Sequence, residues 1–308
     1  MEPWTFVHIN DMQPGSPRSF RFRPAWLENQ QQAYKQIKAI NPALIIVGGD
    51  LTRDGTIHDF EFEQAKANLD ALHIPYRAIP GNMDVGNKHT RVQGAFPGRD
   101  DVAANMTSEP MRRFAQHFGE FPWTFVHKNV RFTGFYAAVA GSGLPEENAL
   151  WNFLDALSQQ APTRHHVVVM HYALFINAMD EANFDITDPD QYLEWYFSIG
   201  HPHRDRIFEQ LKKAHVDIVF SGHIHCHRPV QIVDGIRFYK TAATCSVQAA
   251  DRWPDSDPRC GFAKLDVTDD QITYNFVPLE QVSQRTDEYG PGGHTKPEDR
   301  DYSFAWEQ

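Results

Sequence analysis

Five short apolar segments of the chain end in a polar residue that can bind a metal ion. The segments cover residues 5–10, 43–49, 75–81, 165–170 and 216–220, and the polar residues beyond them are Asp11, Asp50, Asn82, His171 and the pair His223 and His225. Each segment is typical of a buried β-strand. Because a metal site needs several donors brought together from distant parts of a chain, this recurring pattern predicts a metal centre.

Helical spacing between the first three strands predicts a parallel sheet. Apolar residues recur at helical intervals over residues 25–40 and again over residues 58–72, and both regions lie between strands. Alternating strands and helices are typical of βαβ units. Further along, we expect helices near residues 110–118, after Pro145 and at 204–214, strands at 123–127 and 130–136, and two closing hairpins. Residues 80–87 and 90–109 are predicted to be loops.

Composition narrows the class of protein. The 308 residues carry a formal net charge of -11, which argues against a general nucleic-acid or anionic-membrane binder. Three cysteines without a CxxC pair indicate free thiols, and no apolar run reaches the length of a membrane span. We expect one domain over residues 1–284, a polar tail over 285–308, and a cytoplasmic protein unless a leader has been removed.

The polar residues belong to five short motifs in a fixed order. They are Asp11-x-Gln13, Gly49-Asp50, Gly81-Asn82-Met83-Asp84, His171 and Gly222-His223-x-His225. This ordered set resembles the calcineurin-like metallophosphoesterases, and the resemblance covers roughly residues 6–229. It implies an α/β fold, specifically a four-layer αββα sandwich with mixed sheets, and two metal ions at the carboxyl ends of the strands.

The resemblance also implies a ligand set. Asp50 would bridge both metal ions, Asp11 and His225 would complete the first site with Gln13, and Asn82, His171 and His223 would hold the second. Nitrogen and oxygen donors without thiolate suit manganese, iron or zinc. Two metal ions held about 3.5–4 Å apart can share one water, and the resulting bridging hydroxide attacks phosphorus.

Two positions depart from the family pattern. Gln13 stands where most members have histidine, as in a branch similar to a eukaryotic calcineurin-like phosphoesterase-domain protein, and its neutral amide is the poorer donor. Met83 replaces the histidine that, in the family, contacts phosphate and protonates the leaving group, which a thioether cannot do. Asp84, which orients that histidine in the family, loses its usual partner. We therefore expect weakened general-acid catalysis.

Further residues near these motifs are candidates for substrate contacts. Asn82 and Met83 are expected to contact substrate. Arg53 would bind phosphate or form a surface ion pair, and His89 would touch substrate or remain a solvated loop residue. Together with Asp50 and Asp84, Arg53 is a candidate for the catalytic group.

The sequence predicts a metal-dependent phosphoesterase acting on a small-molecule or protein-borne phosphate monoester or diester. The rival hypothesis is a catalytically impaired, metal-binding scaffold that binds a phosphorylated ligand or partner, and Met83 is its best support. A nuclease is disfavoured by the acidic composition and by the lack of a basic run.

Overall fold

Two β-sheets packed face to face form the centre of the molecule. A computed structural model describes residues 2–19, 21–96 and 102–289. The first sheet has the spatial order β11 (Ile272–Pro278), β10 (Gly261–Val267), β1 (Trp4–Ile9), β2 (Leu44–Val47) and β3 (Tyr76–Ala78). The second has the order β4 (Trp123–His127), β5 (Val130–Gly134), β6 (His165–Met170), β7 (Ile218–Ser221), β9 (Ile236–Lys240) and β8 (Gln231–Val233).

Both sheets are mixed, with parallel centres and antiparallel edges. In the first sheet β1, β2 and β3 are parallel, and β10 and β11 are antiparallel additions beside β1. In the second, β5, β6, β7 and β9 are parallel, and β4 and β8 pair antiparallel at the two edges. The carboxyl ends of the parallel strands therefore lie on a common edge in each sheet.

The longer helices of the described residues cover the outer faces of the two sheets. The helices are α1 (Pro24–Ile40), α2 (Asp59–Asp70), α3 (Asn82–Val85), α4 (Ser108–Phe118), α5 (Pro145–Leu157), α6 (Tyr192–Phe197) and α7 (His203–Lys213), and two 3-10 turns lie at Val102–Ala104 and Ala137–Val139. In the described part of the chain, no helix has the length and apolar character needed to cross a bilayer.

Alternation along the strands explains the layers. Phe6 and Phe132 belong to the core between the sheets, with ring centroids 5.0 Å apart, whereas Val7 and Ile9 face the helices. Strands buried on both faces need continuous apolar sequence, which is the pattern that predicted them. The predicted four-layer αββα architecture with mixed sheets is confirmed.

Two predicted loops contain helical structure. A single turn, α3, lies within residues 80–87, because the Asp84 carboxylate accepts the Gly81 N–H at 2.8 Å and closes a cap there. Residues 90–109 include a 3-10 turn and the start of α4, and a further helix, α6, lies between β6 and α7. Residues 97–101 and 290–308 of the predicted loop and tail lie outside the described residues.

Candidate metal centre

Six of the predicted ligands converge from the strand ends of both sheets. Asp11, Asp50 and Asn82 follow β1, β2 and β3 of the first sheet. His171, His223 and His225 follow β6 and β7 of the second. All six side chains are buried. The site therefore lies where the two sheets meet, at the carboxyl ends of their parallel strands.

The charged donors form two groups that share one carboxylate. Asp50, His171 and His223 make one group, and Asp11, Asp50 and His225 make the other. Within each group the potential ligand atoms all lie within 4.8 Å of one another. Asn82 joins the group of His171 and His223, which corresponds to the second predicted site, since its Oδ1 is 3.2 Å from His171 Nε2. This arrangement has two metal-competent positions on either side of Asp50.

Backbone carbonyls hold the histidine rings in position. His171 Nδ1 lies 2.9 Å from the Gly48 carbonyl, and His225 Nδ1 lies 3.1 Å from the Ser246 carbonyl, so both rings direct Nε2 into the site. His223 is reversed, because its Nε2 lies 3.2 Å from the Tyr196 carbonyl and leaves Nδ1 for the site. Metal-binding histidines commonly donate their other ring N–H to such an acceptor.

The residues present fit a pair of metal ions. Within the described residues, Asp11 Oδ1 is buried and lies 3.2 Å from His225 Nε2 and 3.9 Å from His171 Nε2, so a carboxylate oxygen and two ring nitrogens lie close together, as metal ligands do. Glycines leave space beside the carboxylates: a Cβ at Gly222 would lie 2.6 Å from Asp11 Oδ2, and one at Gly81 would overlap Asp50. The donors are carboxylate, imidazole and amide, the set that manganese, iron and zinc accept.

Several site residues have left-handed backbone conformations. The φ angles of Asp11, Gln13, Asp50, His223 and His225 are 49°, 37°, 54°, 68° and 52°. Non-glycine residues rarely adopt positive φ, and such conformations cluster at functional sites. Each one lies within four residues of a strand end, where it turns the chain beside the site.

The pKa shifts of Asp11, His171 and His225 favour positive charge among these three groups, whereas burial and the nearby His171 lower the pKa of His223. Burial lowers the pKa of His171, but the carboxylates of Asp50 and Asp11 outweigh burial and raise it to about 9. The pKa of His225 is also raised, against burial, by Cys245 and Asp11. Burial raises the pKa of Asp11, but His225 and His171 bring it below its usual value. Carboxylates that stabilise cations in this way are suited to metal ions.

The two amide residues are oriented differently. Asn82 Nδ2 donates to Asn87 Oδ1 at 3.1 Å and to the Tyr196 hydroxyl at 3.0 Å, which directs its carbonyl oxygen into the site. The Gln13 carbonyl oxygen instead accepts from Arg53 Nη1 at 3.0 Å, and its Nε2 donates to Asp50 Oδ2 at 2.6 Å. In this orientation Gln13 presents a donor group, rather than a metal ligand, to the first position.

Arg53 lies inside the cleft. Its side chain is 5% exposed and its guanidinium lies 4.3 Å from the centre of the Trp26 ring, so Arg53 is buried against an aromatic ring rather than placed on the surface. Burial lowers the pKa of Arg53 to about 10, which leaves it cationic at neutral pH. Arg53 therefore contributes a fixed positive charge beside the metal positions.

Met83 and Asp84 have separate positions. The Met83 N–H donates to Asp50 Oδ1 at 2.8 Å, and its side chain lines the cleft. Asp84 is fully buried and accepts from the N–H groups of Gly81 and Thr52 at 2.8 and 3.0 Å. Burial, with the nearby Asp50 carboxylate, raises the pKa of Asp84 to about 7. Asp84 thus connects the loops after β2 and β3 and acts on the site by positioning them.

His89 is held away from the other predicted residues. Its Nε2 lies 3.0 Å from the Met106 carbonyl, and it is not one of the described residues that line the cleft. The structure brings together the seven predicted ligands, Arg53 and Met83, but not His89.

The cleft above the site, of about 270 Å³, also contains residues that the sequence did not identify. These are Arg21, Arg23, Trp26, Tyr196, Ser246, Val247, Gln248 and Glu288. The Arg-x-Arg spacing of residues 21 and 23, next to the predicted loop after β1, was a usable signal for the two arginines. Tyr196 lies in α6, between β6 and α7, and the sequence predicted no role for it in the site.

Comparison with known proteins identifies the family. The family model described as calcineurin-like phosphoesterase matches residues 5–227, which include every motif of the site. The chain belongs to the calcineurin-like phosphoesterase family. Its family, and relatives that are named as phosphatases, identify the protein as a metal-dependent phosphatase, which is a hydrolase.

Relatives and solved structures agree with this assignment. The chain is 25% identical to the Danio rerio protein named serine/threonine-protein phosphatase CPPED1, over 92% of this chain and 87% of that one. It is 23% identical to the Homo sapiens protein of that name, over 83% and 74% of the two chains.

Two solved structures share the fold. A yellow lupin (Lupinus luteus) purple acid phosphatase has a TM-score of 0.61 at 14% identity, with 94% of this chain and about half (53%) of that chain covered. A dimetal phosphatase from Danio rerio has a TM-score of 0.56 at 12% identity, with 90% and 96% covered.

Proposed function

We propose that the protein is a dinuclear metal-dependent phosphatase that hydrolyses phosphate monoesters on serine or threonine residues of proteins. The observation that carries this proposal is the pair of buried donor groups that share Asp50 at the base of the arginine-lined cleft. The name of the CPPED1 relatives supports the choice of phosphoprotein over a phosphodiester or small molecule.

The ligand assignment follows the geometry. Asp11, Asp50 and His225 would hold one metal ion, and Asp50, Asn82, His171 and His223 the other. When bound, a pair of manganese, iron or zinc ions supplies a nucleophile from water near neutral pH and polarises the phosphoryl group. Gln13, engaged by Arg53, leaves the first position with fewer protein ligands, so the first metal ion is the more weakly bound of the two.

The chain's own residues orient and charge the cleft. Arg53, fixed against Trp26, neutralises phosphate oxygens, and the Met83 N–H holds the Asp50 carboxylate in place. No proton can come from the Met83 thioether, so unless another group of the cleft donates one, a leaving group departs as an anion or takes its proton from water. Loss of general-acid assistance typically costs about 10²–10⁴-fold in rate. Activated esters are therefore expected to react faster than alkyl esters by a wide margin.

The same residue favours the second candidate function. A scaffold that binds phosphorylated proteins without turning them over would retain the ligands and the arginines and would have no need of an acid. The presence of Met83, which cannot act as an acid, is the observation that favours this second function. Rates on a series of esters separate the two functions.

The test compares leaving groups in the wild type and in Met83→His, each with two metal ions bound. Wild type should hydrolyse an aryl phosphate measurably and an alkyl phosphate poorly, and an aryl phosphodiester should be the poorest of the aryl substrates. Met83→His supplies an imidazole, and its gain should grow with leaving-group pKa to about 10²-fold or more for an alkyl ester.

Met179→His, at a half-buried methionine outside the cleft lining, is the matched control and should change neither rate. Metal-loaded wild type without turnover of the aryl ester would establish the scaffold. Efficient alkyl-ester hydrolysis by wild type, unchanged in Met83→His, would show that another group supplies the proton.

A further inference from the structure

One wall of the metal cleft is basic although the whole chain is acidic. Arg21, Arg23 and Arg53 line this wall, whereas the formal charge of the chain is -11. Because the average composition of this chain is acidic, chance alone does not explain three arginines on one wall of the cleft. The cluster points to an anionic ligand at this wall.

Two of these arginines pack against the ring of Trp26. The Arg53 guanidinium lies 4.3 Å and the Arg23 guanidinium 5.3 Å from the centre of its ring. The Arg21 carbonyl in turn accepts from Arg53 Nε at 3.3 Å. Stacking on an aromatic ring fixes a guanidinium plane without neutralising its charge. Arg53 is buried next to the metal ligands, whereas Arg23 is exposed at the rim.

The chain's own C-terminal segment already places a carboxylate on this wall. Beyond β11 the chain runs along α1 toward its N-terminal end: the Glu280 N–H donates to Gln36 Oε1 at 3.0 Å and the Ser283 N–H to Asn29 Oδ1 at 2.7 Å. Glu288 then accepts from Arg23 Nε at 2.8 Å and lines the cleft itself.

The contact is made by extended backbone. The Tyr289 N–H donates to the Phe22 carbonyl at 2.9 Å, and the two residues form an antiparallel β-bridge. A peptide that pairs with the backbone of residue 22 and presents an acidic side chain to Arg23 would reproduce this contact. Addition of an extended peptide to exposed backbone is a common mode of peptide recognition.

We propose that Arg21, Arg23 and Trp26 form a subsite for an acidic residue next to the phosphorylated residue of a protein substrate, and that Glu288 occupies this subsite as an internal competitor. The proposal rests on the proposed function, of which it specifies the substrate class. Glu288 is joined to Arg23 by an exposed ion pair, which is weak, so a substrate carboxylate can displace it.

The experiment measures kcat/KM on paired phosphoserine peptides that differ only in glutamate or glutamine beside the phosphorylated residue. Metal-loaded wild type should prefer the glutamate peptides, and the preference should decline as salt increases. Arg23→Gln should reduce the preference by about 3-fold, as expected for one exposed charge pair. Arg112→Gln, at an exposed arginine outside the cleft lining, should retain the wild-type preference.

Glu288→Gln tests the internal competitor. It should raise kcat/KM for the glutamate peptide about 2- to 5-fold. Asp287→Asn is the matched control, since the Asp287 carboxylate pairs with Arg285, and it should leave the rate unchanged. Equal rates on glutamate and glutamine peptides, or a preference that survives Arg23→Gln, would overturn the subsite, and no gain in Glu288→Gln would overturn the competitor.

Failure of the proposed function can be told apart from failure of the subsite. Hydrolysis of an aryl phosphate, which has no flanking acidic group, tests catalysis alone. If that hydrolysis is absent, binding of the same fluorescently labelled peptides to metal-loaded protein is measured by anisotropy. A glutamate preference in binding that falls in Arg23→Gln would support the subsite, and equal binding would overturn it.

Discussion

Asp50 is the residue on which the proposed dinuclear arrangement depends. It belongs to both donor groups, and its two oxygens have different neighbours: Oδ1 accepts from the Met83 N–H, and Oδ2 accepts from Gln13 Nε2. Removing its charge should leave two positions that no longer share a carboxylate. Substitution of a bridging ligand affects both metal positions, whereas substitution of any other buried acid does not.

Asp50→Asn is expected to abolish hydrolysis and to reduce the metal content below two ions per chain, because one negative charge between two cations is lost. Metal analysis by mass spectrometry and aryl phosphate assays check both effects. Asp234→Asn is the control: Asp234 has a similar φ of 47°, against 54° for Asp50, but lies in an exposed turn. If the two variants behaved alike, the shared-carboxylate assignment would be wrong.

Glu61 shows a different residue-scale effect, on stability. Its carboxylate is buried and accepts from the Arg53 and Asp54 N–H groups at 2.6 and 2.8 Å. Burial, and then the nearby Asp54 carboxylate, raises the pKa of Glu61 from 4.5 to about 7. Because the folded state holds the proton of Glu61 more tightly than the unfolded state, the contribution of Glu61 to stability is fully present below pH 4.5 and is lost as pH rises through 7.

Relative to Glu61→Gln, wild type is therefore expected to lose roughly 3 kcal/mol of unfolding free energy between pH 4.5 and pH 8. Urea unfolding of both proteins, each with metal removed by chelator, measures this difference at the two pH values. The glutamine variant provides the baseline, since it shares every other titrating group. An unchanged difference across the window would mean that Glu61 titrates near its ordinary pKa.

At the scale of elements, the turns after the strands determine the site. Asp11 and His223 follow β1 and β7 of different sheets, and the His223 N–H donates to Asp11 Oδ2 at 2.9 Å across the gap. Gly222 permits this approach, because a Cβ there would lie 2.6 Å from the same oxygen. The glycine therefore has a steric role that its position before a histidine pair does not by itself reveal.

Gly222→Ala is expected to push the Asp11 carboxylate out of position and weaken metal binding at the first site by roughly 10–100-fold, as changes around metal ligands do. Titration with metal ions followed by calorimetry measures the change at each site. Gly143→Ala is the control: its Cβ meets nothing within 4 Å, although its φ of 76° makes alanine strained. It should lower stability by about 1–2 kcal/mol and leave metal binding intact. If Gly222→Ala bound metal ions as tightly as wild type, the proposed steric role of Gly222 would be wrong.

At the scale of the whole molecule, the site joins the two sheets. Three ligands belong to the first sheet and three to the second, so each metal ion would cross-link the layers at one edge of the shared apolar core. Ligands that bind only the folded state add to its stability. Metal binding and global stability are therefore expected to be coupled in this protein.

Chelation should lower the unfolding midpoint in two steps. Metal present at about 100 times its Kd adds about 2.7 kcal/mol per site, and the first site, which lacks a Gln13 ligand, should release its ion before the second. Calorimetric melting at graded chelator concentrations, with metal analysis at each step, measures both losses. In Asp50→Asn most of the metal-dependent shift should disappear. Simultaneous loss of two ions, or a midpoint insensitive to chelator, would contradict the expectation.

The sequence by itself determined the sheets and indicated which polar residues meet at their ends. Strands buried on both faces require apolar runs, and ligands must follow those runs if they are to meet at the strand ends, so both features appear locally in the order of residues. The short helix α3 was not predicted, because its cap is the Asp84 side chain in a segment that is otherwise typical of a loop.

Only the tertiary structure decided how the polar groups face one another. Gln13 turns its carbonyl toward Arg53, 40 residues away, and His89 turns toward the Met106 carbonyl instead of the cleft. Glu288 reaches Arg23 across 265 residues. A side-chain orientation depends on the partners that folding brings within hydrogen-bond distance, and such partners leave no periodic signal in the sequence. The basic wall of the cleft therefore became visible only when the strand ends, α1 and the C-terminal segment were placed together.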